Sequence, residues 1–153
     1  MSMLYLAQAD EHQELEWLDG GTLTMLLDGQ ATDGKLMMGR FHVKEGEAPP
    51  YHKHLNEDEI FMLVKGTALV WYDDQEYELH EGGVVYLPRN VPHGYRITSA
   101  EADLLMINTP AGIEGMFRAV GRDTREPRPE GFRVEPDPEV SERYGNIVLG
   151  PPR

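Results

Sequence analysis

Short runs of β-branched, aromatic and other apolar residues recur between residues 22 and 108. Turn residues such as Gly66, Asp73-Asp74 and Gly82-Gly83 separate one run from the next. The pattern predicts short strands at residues 22–27, 36–43, 59–65, 67–72, 76–79, 84–87, 93–97 and 102–108. Many short strands with turns at regular intervals are typical of an all-β sandwich or barrel.

The segments on either side of this region have a different pattern. Apolar residues at 113, 116, 117 and 120 have helical spacing, so a helix is predicted at 113–120. A loop rich in proline and charge follows, then a short helix over 137–144 and an extended piece at 146–149. A strand at 2–6 is predicted to pair with another subunit. We therefore divide the chain into an N-terminal arm (1–20), a β-barrel (21–109) and a C-terminal helix, loop and tail (110–153).

Composition limits the functions that the chain can have. Its 153 residues make one domain that is large enough for a core, and 40% of them are hydrophobic. The absence of cysteine excludes disulfides, iron–sulfur clusters and thiolate zinc sites. The net charge of −13 argues against nucleic acid or an anionic membrane as a partner. We find no signal peptide and no apolar run near the length of a membrane span, so a cytoplasmic location is expected.

Three histidines and one glutamate have the spacing of a metal site. His52 and His54 are two apart, so on a strand both imidazoles lie on one face. Glu59 opens the next apolar run, and His93 offers a fourth ligand from a separate stretch. Imidazole and carboxylate suit Fe, Ni, Mn, Co, Cu and Zn alike, so one divalent transition metal per chain is predicted without its identity.

The other histidines are predicted to lie away from this set. His12 is in the polar N-terminal stretch and His80 is next to a turn, so both are expected at the surface. His42 shares a strand face with Arg40, and the opposite face carries Phe41 and Val43. The face with Phe41 is the expected core, so His42 is expected to face solvent.

These residues stand in two motifs that resemble those of the cupin superfamily. The first motif is Gly46, five residues, His52, one, His54, four, Glu59, six, Gly66, with every anchor present. The second is Gly82, five residues, Pro88, one, Asn90, two, His93, in which Asn90 replaces the usual glycine and Ile97 a frequent asparagine. The resemblance implies a double-stranded β-helix, or jelly-roll barrel, that binds metal.

The stretch 109–117 resembles the segment after the barrel in bacterial quercetin-dioxygenase-type cupins. That likeness implies a metal-dependent dioxygenase that uses O2 on a flavonol or related enolic aromatic, with Glu59 as general base. Phe61, Tyr95, Met38 and Leu63 are the expected substrate-binding walls. Few cationic groups are expected at the site, which favours an aromatic small molecule.

Other functions fit the same ligands. A metal-dependent cyclase or isomerase of polyketide metabolism would use the metal as a Lewis acid. A non-enzymatic small-molecule-binding cupin is the third hypothesis, but it would be favoured by a missing ligand, and none is missing. A homodimer is expected, as is common in the family.

Overall fold

The computed structural model describes residues 3–153. Its strands are β1 Gln13–Glu16, β2 Thr22–Leu27, β3 Met37–Lys44, β4 Tyr51–His54, β5 Asp58–Lys65, β6 Ala68–Tyr72, β7 Gln75–Leu79, β8 Val84–Leu87, β9 His93–Ile97, β10 Glu101–Thr109, β11 Arg122–Asp123 and β12 Asn146–Gly150. The helices are α1 Gly29–Thr32, α2 Glu114–Val120 and α3 Pro138–Arg143. None of the helices in residues 3–153 combines the length and apolar composition needed to cross a membrane.

In this part of the chain the strands form two antiparallel sheets. The larger sheet has the order β11-β1-β2-β3-β10-β5-β8, and the smaller has the order β12-β4-β9-β6-β7. The core lies between their facing sides, and the all-β prediction is confirmed. Strands from both flanking segments join the sheets: β1 pairs with β2, and β12 pairs with β4.

Alternation along β3 shows how the sequence sets the core face. Met37, Phe41 and Val43 are buried, whereas Arg40 and His42 on the other face are exposed. Successive side chains of a strand point to opposite faces, so this apolar and polar alternation places one side of β3 against the other sheet. The solvent-facing position predicted for His42 is confirmed.

The turn before β9 uses the unusual residue of the second motif. Asn90 has φ of 69°, a left-handed conformation that asparagine adopts more readily than other non-glycine residues. Its backbone N–H donates to His54 O at 2.7 Å, which ties this turn to the end of β4. The replacement of glycine by Asn90 is therefore compatible with the backbone that the turn requires.

Several elements differ from the sequence-based expectation. Strands β1, β4 and β11 were not predicted, and the expected turn over 28–34 contains the short helix α1, capped by the Asp28 side chain. The predicted strand at 2–6 begins outside the described residues, and residues 3–6 form no strand. The helices at 113–120 and 137–144 are confirmed as α2 and α3. Asp137 caps α3 by accepting from Val140 N at 3.1 Å.

Candidate metal centre

Strand β4 brings two histidines to one face. His52 and His54 alternate with Lys53 on this strand, so their rings point between the sheets. His93 opens β9 and lies opposite His52 in the antiparallel pair, which puts its ring on the same face. Glu59 approaches from β5 of the other sheet. The four buried side chains therefore converge between the two sheets.

The distances fit ligands of a single ion. His52 Nε2 is 3.1 Å from His54 Nε2, and His93 Nε2 is 3.0 Å from Glu59 Oε2. All four ligand atoms lie within 4.8 Å of one another. Two ligands at about 2.1 Å from one ion are about 3–4 Å apart. The site could therefore hold one divalent metal.

Outer hydrogen bonds orient each imidazole. Each ring has its Nδ1 next to an oxygen: His52 to Pro50 O at 2.6 Å, His54 to Glu57 Oε1 at 2.7 Å, and His93 to Val91 O at 3.1 Å. Carbonyl and carboxylate oxygens only accept, so Nδ1 carries the hydrogen in each ring. The Nε2 lone pairs are then free to face the centre, as in most metal-binding histidines.

The charges of the site also suit a divalent cation. Burial raises the pKa of Glu59, but His54 and His93 outweigh it and lower that pKa to about 2, so the carboxylate is ionised. Burial and the neighbouring imidazoles of His93 and His54 lower the pKa of His52 and keep it neutral. Glu59 Oε1 accepts from Asn108 Nδ2 at 3.3 Å, which leaves Oε2 for an ion.

His54 has the opposite pKa shift from His52. Burial lowers the pKa of His54, but the carboxylates of Glu59 and Glu57 outweigh it and raise that pKa. A metal ion must therefore compete with a proton at His54 Nε2. Metal affinity at this site is expected to fall as the pH is lowered.

A cavity with mostly apolar walls opens beside the four ligands. Its apolar lining consists of Trp17, Leu18, Phe41, Pro49, Pro50, Phe61, Leu104, Met106, Met116, Phe117, Val120, Pro136 and Val148. The other lining groups are Tyr95, Asp137, Ser141 and Asn146. Within residues 3–153 no lysine or arginine lines this cavity. It is therefore a mostly apolar space that adjoins the four candidate ligands.

Comparisons with known proteins agree with this architecture. A family model described as a cupin domain matches residues 39–109. Two solved structures have a similar fold. KdgF from Halomonas sp. has a TM-score of 0.63 at 18% identity, over 74% of this chain and 99% of KdgF. A variant of oxalate decarboxylase from Bacillus subtilis has a TM-score of 0.60 at 21% identity, over 72% of this chain and 30% of the decarboxylase.

Residues 39–109 form a cupin domain. The predicted jelly-roll fold is thereby confirmed. Quercetin 2,3-dioxygenase from Bacillus subtilis is 28% identical over 118 residues, which are 76% of this cupin and 34% of the dioxygenase. This cupin thus matches about a third of the length of that relative.

The cavity includes two of the four predicted substrate-binding residues. Phe61 and Tyr95 line it, with ring centroids 5.7 Å apart in an edge-to-face arrangement. Met38 and Leu63 do not line it. Met38 lies on the solvent-facing side of β3, and Leu63 is fully buried in the core. Their placement does not support the pocket roles expected from the sequence.

Three side chains of the neighbouring strands lie on the outer sheet face, away from the site. Arg40 does not enter the site, since its guanidinium lies on the outer sheet face, 3.0 Å from Asp103. Leu105 and Ile107 do not fill the core, because their partly exposed side chains lie on that same outer face. Leu104 and Met106 line the cavity instead, one position away along β10.

Sequence reasoning missed the residues that hold the ligands in place. Glu57 orients His54, but nothing in the sequence distinguishes it from the neighbouring Asp58. Asn108 lies opposite Glu59 in the β10–β5 pair. A signal did exist for Asn108, because it alternates with Leu104 and Met106 and so shares their buried face.

Proposed function

We propose that this cupin is a metal-dependent dioxygenase that acts on a flavonol or a related enolic aromatic. The observation that carries the proposal is the position of three imidazoles and one carboxylate beside a cavity with aromatic walls. Quercetin 2,3-dioxygenase is the relative that links such a site to a reaction. The match covers only 34% of that protein, so its activity is a proposal for this chain and not a finding.

The cavity wall supports an aromatic substrate over a small dianion. A dianion such as oxalate needs cationic groups to compensate its desolvation. Within the described residues the wall offers no lysine or arginine, and it presents the rings of Trp17, Phe41, Phe61 and Phe117. Flat aromatic molecules gain from such edge and face contacts.

The residues of the site have distinct roles in this proposal. A bound divalent metal would polarise an enolic oxygen and lower the pKa of its hydroxyl. Glu59 is ionised, the state that a general base needs to accept the enolic proton. Asn108 restrains its Oε1. Phe61 and Tyr95 are proposed to pack against the substrate ring.

The test is metal analysis of the purified protein, followed by oxygen uptake with quercetin. The stripped protein is loaded in turn with Ni(II), Mn(II), Co(II) or Fe(II). We expect one metal per chain, and uptake of about one O2 per flavonol for at least one metal. Glu59→Gln should abolish uptake, while His42→Ala, which changes a solvent-facing histidine, should retain it.

A different outcome would redirect the assignment. One metal per chain without oxygen uptake in any metal form would favour the non-redox cyclase or isomerase. A stable fold that binds none of these metals would refute the metal centre itself.

We also propose that the chain forms a homodimer through an outer apolar face. This face consists of partly or largely exposed side chains of β5, β8 and β10: Ile60, Met62, Val64, Val84, Tyr86, Leu105 and Ile107. Val84 is 65% exposed and Tyr86 57% exposed, on a strand at the sheet edge. Contiguous exposed apolar surface of this kind marks interaction sites.

A second copy of the chain is the proposed occupant of this face. Residues 3–6 supply matching apolar groups, since Leu4 is 90% exposed and Leu6 68% exposed. A two-fold arrangement covers residues 3–6 and the outer apolar face of both copies at once.

The cytoplasmic location and the three-part division of the chain remain predictions.

A further inference from the structure

Strand β12 puts an amide into the cavity wall beside the metal ligands. It pairs antiparallel with β4, with Asn146 opposite His54 and Val148 opposite His52. Directly opposite residues of an antiparallel pair point to the same face. Because His54 faces the centre, the Asn146 side chain faces the same way, and both Asn146 and Val148 line the cavity.

Among residues 3–153, the amide of Asn146 has no strong hydrogen-bond partner. The residue is 9% exposed, and its Oδ1 is buried without a hydrogen bond. Its Nδ2 contacts only Met116 Sδ, at 3.1 Å. A thioether is a weak acceptor, so the amide forms no strong bond at either end. A buried polar group without a partner is destabilising, so a ligand that supplies a donor to it is favoured.

Of the other polar groups of this wall outside the ligand set, Tyr95 and Asp137 are already engaged, and Ser141 offers a hydroxyl instead of an amide. The Tyr95 hydroxyl donates to Glu47 Oε1 at 3.2 Å. Asp137 caps helix α3 through Val140 N. The rest of the wall is mostly apolar, so a ligand here meets one unpaired neutral amide against an aromatic background. The unpaired oxygen accepts, and the group that it matches is a hydroxyl donor.

We propose that Asn146 is a specificity-determining residue that accepts a hydrogen bond from a hydroxyl on an aromatic substrate. This inference rests on the proposed function, because it concerns the same site. It adds that the aromatic substrate carries a second hydroxyl group, which Asn146 recognises. The hydroxyl meant here is separate from the enolic oxygen directed at the metal. Val148, on the same strand and the same face, contributes only apolar contact.

The test uses two probes of the same shape, 2-naphthol and 2-methylnaphthalene, which differ by a hydroxyl in place of a methyl group. Their dissociation constants are measured by equilibrium dialysis against the metal-free protein, so that the single hydroxyl of 2-naphthol cannot coordinate an ion. The wild type should bind 2-naphthol about three- to tenfold more tightly than its methyl analogue, the effect of one hydrogen bond to an unpaired group. Asn146→Leu should abolish or reverse this preference.

Val148→Ala is the matched control. It should weaken both probes by a similar factor and leave their ratio unchanged. Metal content and the thermal midpoint of each variant show whether the fold is intact. Leucine has nearly the shape of asparagine and leaves no polar group unpaired, so Asn146→Leu should fold at least as stably as the wild type.

The inference is overturned if the wild type shows no preference for 2-naphthol, if Asn146→Leu keeps that preference, or if neither probe binds. These results do not depend on oxygen uptake. A naphthol preference that requires Asn146, without flavonol oxidation, would sustain the inference and reject the dioxygenase. Flavonol oxidation together with a probe preference that Asn146→Leu does not change would support the dioxygenase and reject the role of Asn146.

Discussion

Glu57 contacts the candidate metal centre through His54. The two side chains are 3% and 4% exposed, and Glu57 Oε1 lies 2.7 Å from His54 Nδ1. A buried carboxylate in this position fixes the ring orientation and makes Nε2 a better donor to a metal. Glu57 is therefore a positioning residue, with no contact to an ion of its own.

Glu57→Gln should lower the affinity for the metal by about 10- to 100-fold, the usual effect of losing such an outer carboxylate. The measurement is competition with a chelator of known affinity at fixed pH. Glu81→Gln removes the same charge from an exposed turn and should leave the affinity within about twofold of the wild type. Equal affinities for Glu57→Gln and the wild type would contradict the role assigned to Glu57.

Glu47 is a second buried acid with an unusual environment. It is 1% exposed, and only one of its oxygens has a partner, the Tyr95 hydroxyl. Burial raises the pKa of Glu47 from 4.5 to about 7, although the hydrogen bond from Tyr95 opposes the shift. The folded protein therefore holds a proton on Glu47 at pH values where the unfolded chain has lost it.

This proton makes stability depend on pH. Between about pH 4.5 and 7 the folded state binds more protons at Glu47, so its contribution to stability is lost as the pH rises. The loss amounts to roughly 3 kcal/mol at full ionisation. Glu47→Gln should remove this part of the profile, measured as the free energy of urea unfolding of the metal-free protein from pH 4.5 to 8. Parallel profiles for the two proteins would show that Glu47 is ionised in the fold.

At the scale of elements, helix α2 packs tightly against the residue that leads into β12. A Cβ added at Gly115 would lie 2.9 Å from Tyr144 Cζ, inside the contact distance of any real side chain. Tyr144 follows α3 and packs against the core. The absence of a side chain at Gly115 therefore sets how closely the C-terminal segment approaches the barrel.

Gly115→Ala should destabilise the protein by about 1–3 kcal/mol through overpacking. The result is informative because alanine normally stabilises a helix interior by about 1 kcal/mol relative to glycine. In a Tyr144→Leu background the clash is relieved, and the same substitution should become neutral or stabilising. Thermal denaturation of the wild type, the two single variants and the double variant measures this double-mutant cycle. A stabilising Gly115→Ala in the wild type would refute the close contact.

The elements that the sequence predicted are those with a local pattern. Strands such as β2 and β3 alternate apolar and polar residues, and their faces follow from that alternation. β4 carries Tyr-His-Lys-His and has no apolar period, so its bounds were not predicted, although His52 and His54 were expected on one strand face. Residues 104–107 of β10 are all apolar, so the sequence does not show which of its faces is buried.

The candidate site also has a part with a local sequence signal and a part without one. The ligands His52, His54, Glu59 and His93 were predicted, since their spacing is itself the signal. The amide of Asn146 depends on the pairing of β12 with β4, a contact between distant parts of the chain. Local sequence contains no information on such a register, so this part of the wall could be found only in the structure.

At the scale of the whole molecule, the net charge of −13 opposes the proposed dimer. Two copies repel at low salt, whereas the outer apolar face and residues 3–6 favour association. Added salt screens the repulsion between exposed charges and leaves apolar burial in place. The dimer should therefore strengthen as ionic strength rises.

Sedimentation equilibrium at about 20 mM and about 500 mM salt tests this expectation, at ionic strengths where screening differs strongly. The wild type should associate more tightly at the higher salt. Val84→Glu, in the outer apolar face, should give a monomer at both. Leu149→Glu adds the same charge at a residue that is 47% exposed on β12, outside that face, and should still dimerise. Equal association of the two variants would exclude the outer apolar face as the interface.

The late position of β12 in the chain has a consequence for biosynthesis. During translation, the four ligand side chains emerge from the ribosome before residues 136–148, which contribute one wall of the cavity. Because domains generally fold as units, the cavity closes only once β12 has emerged and can pair with β4. Until then the four candidate ligands lie in an incomplete site that water and chelators can reach.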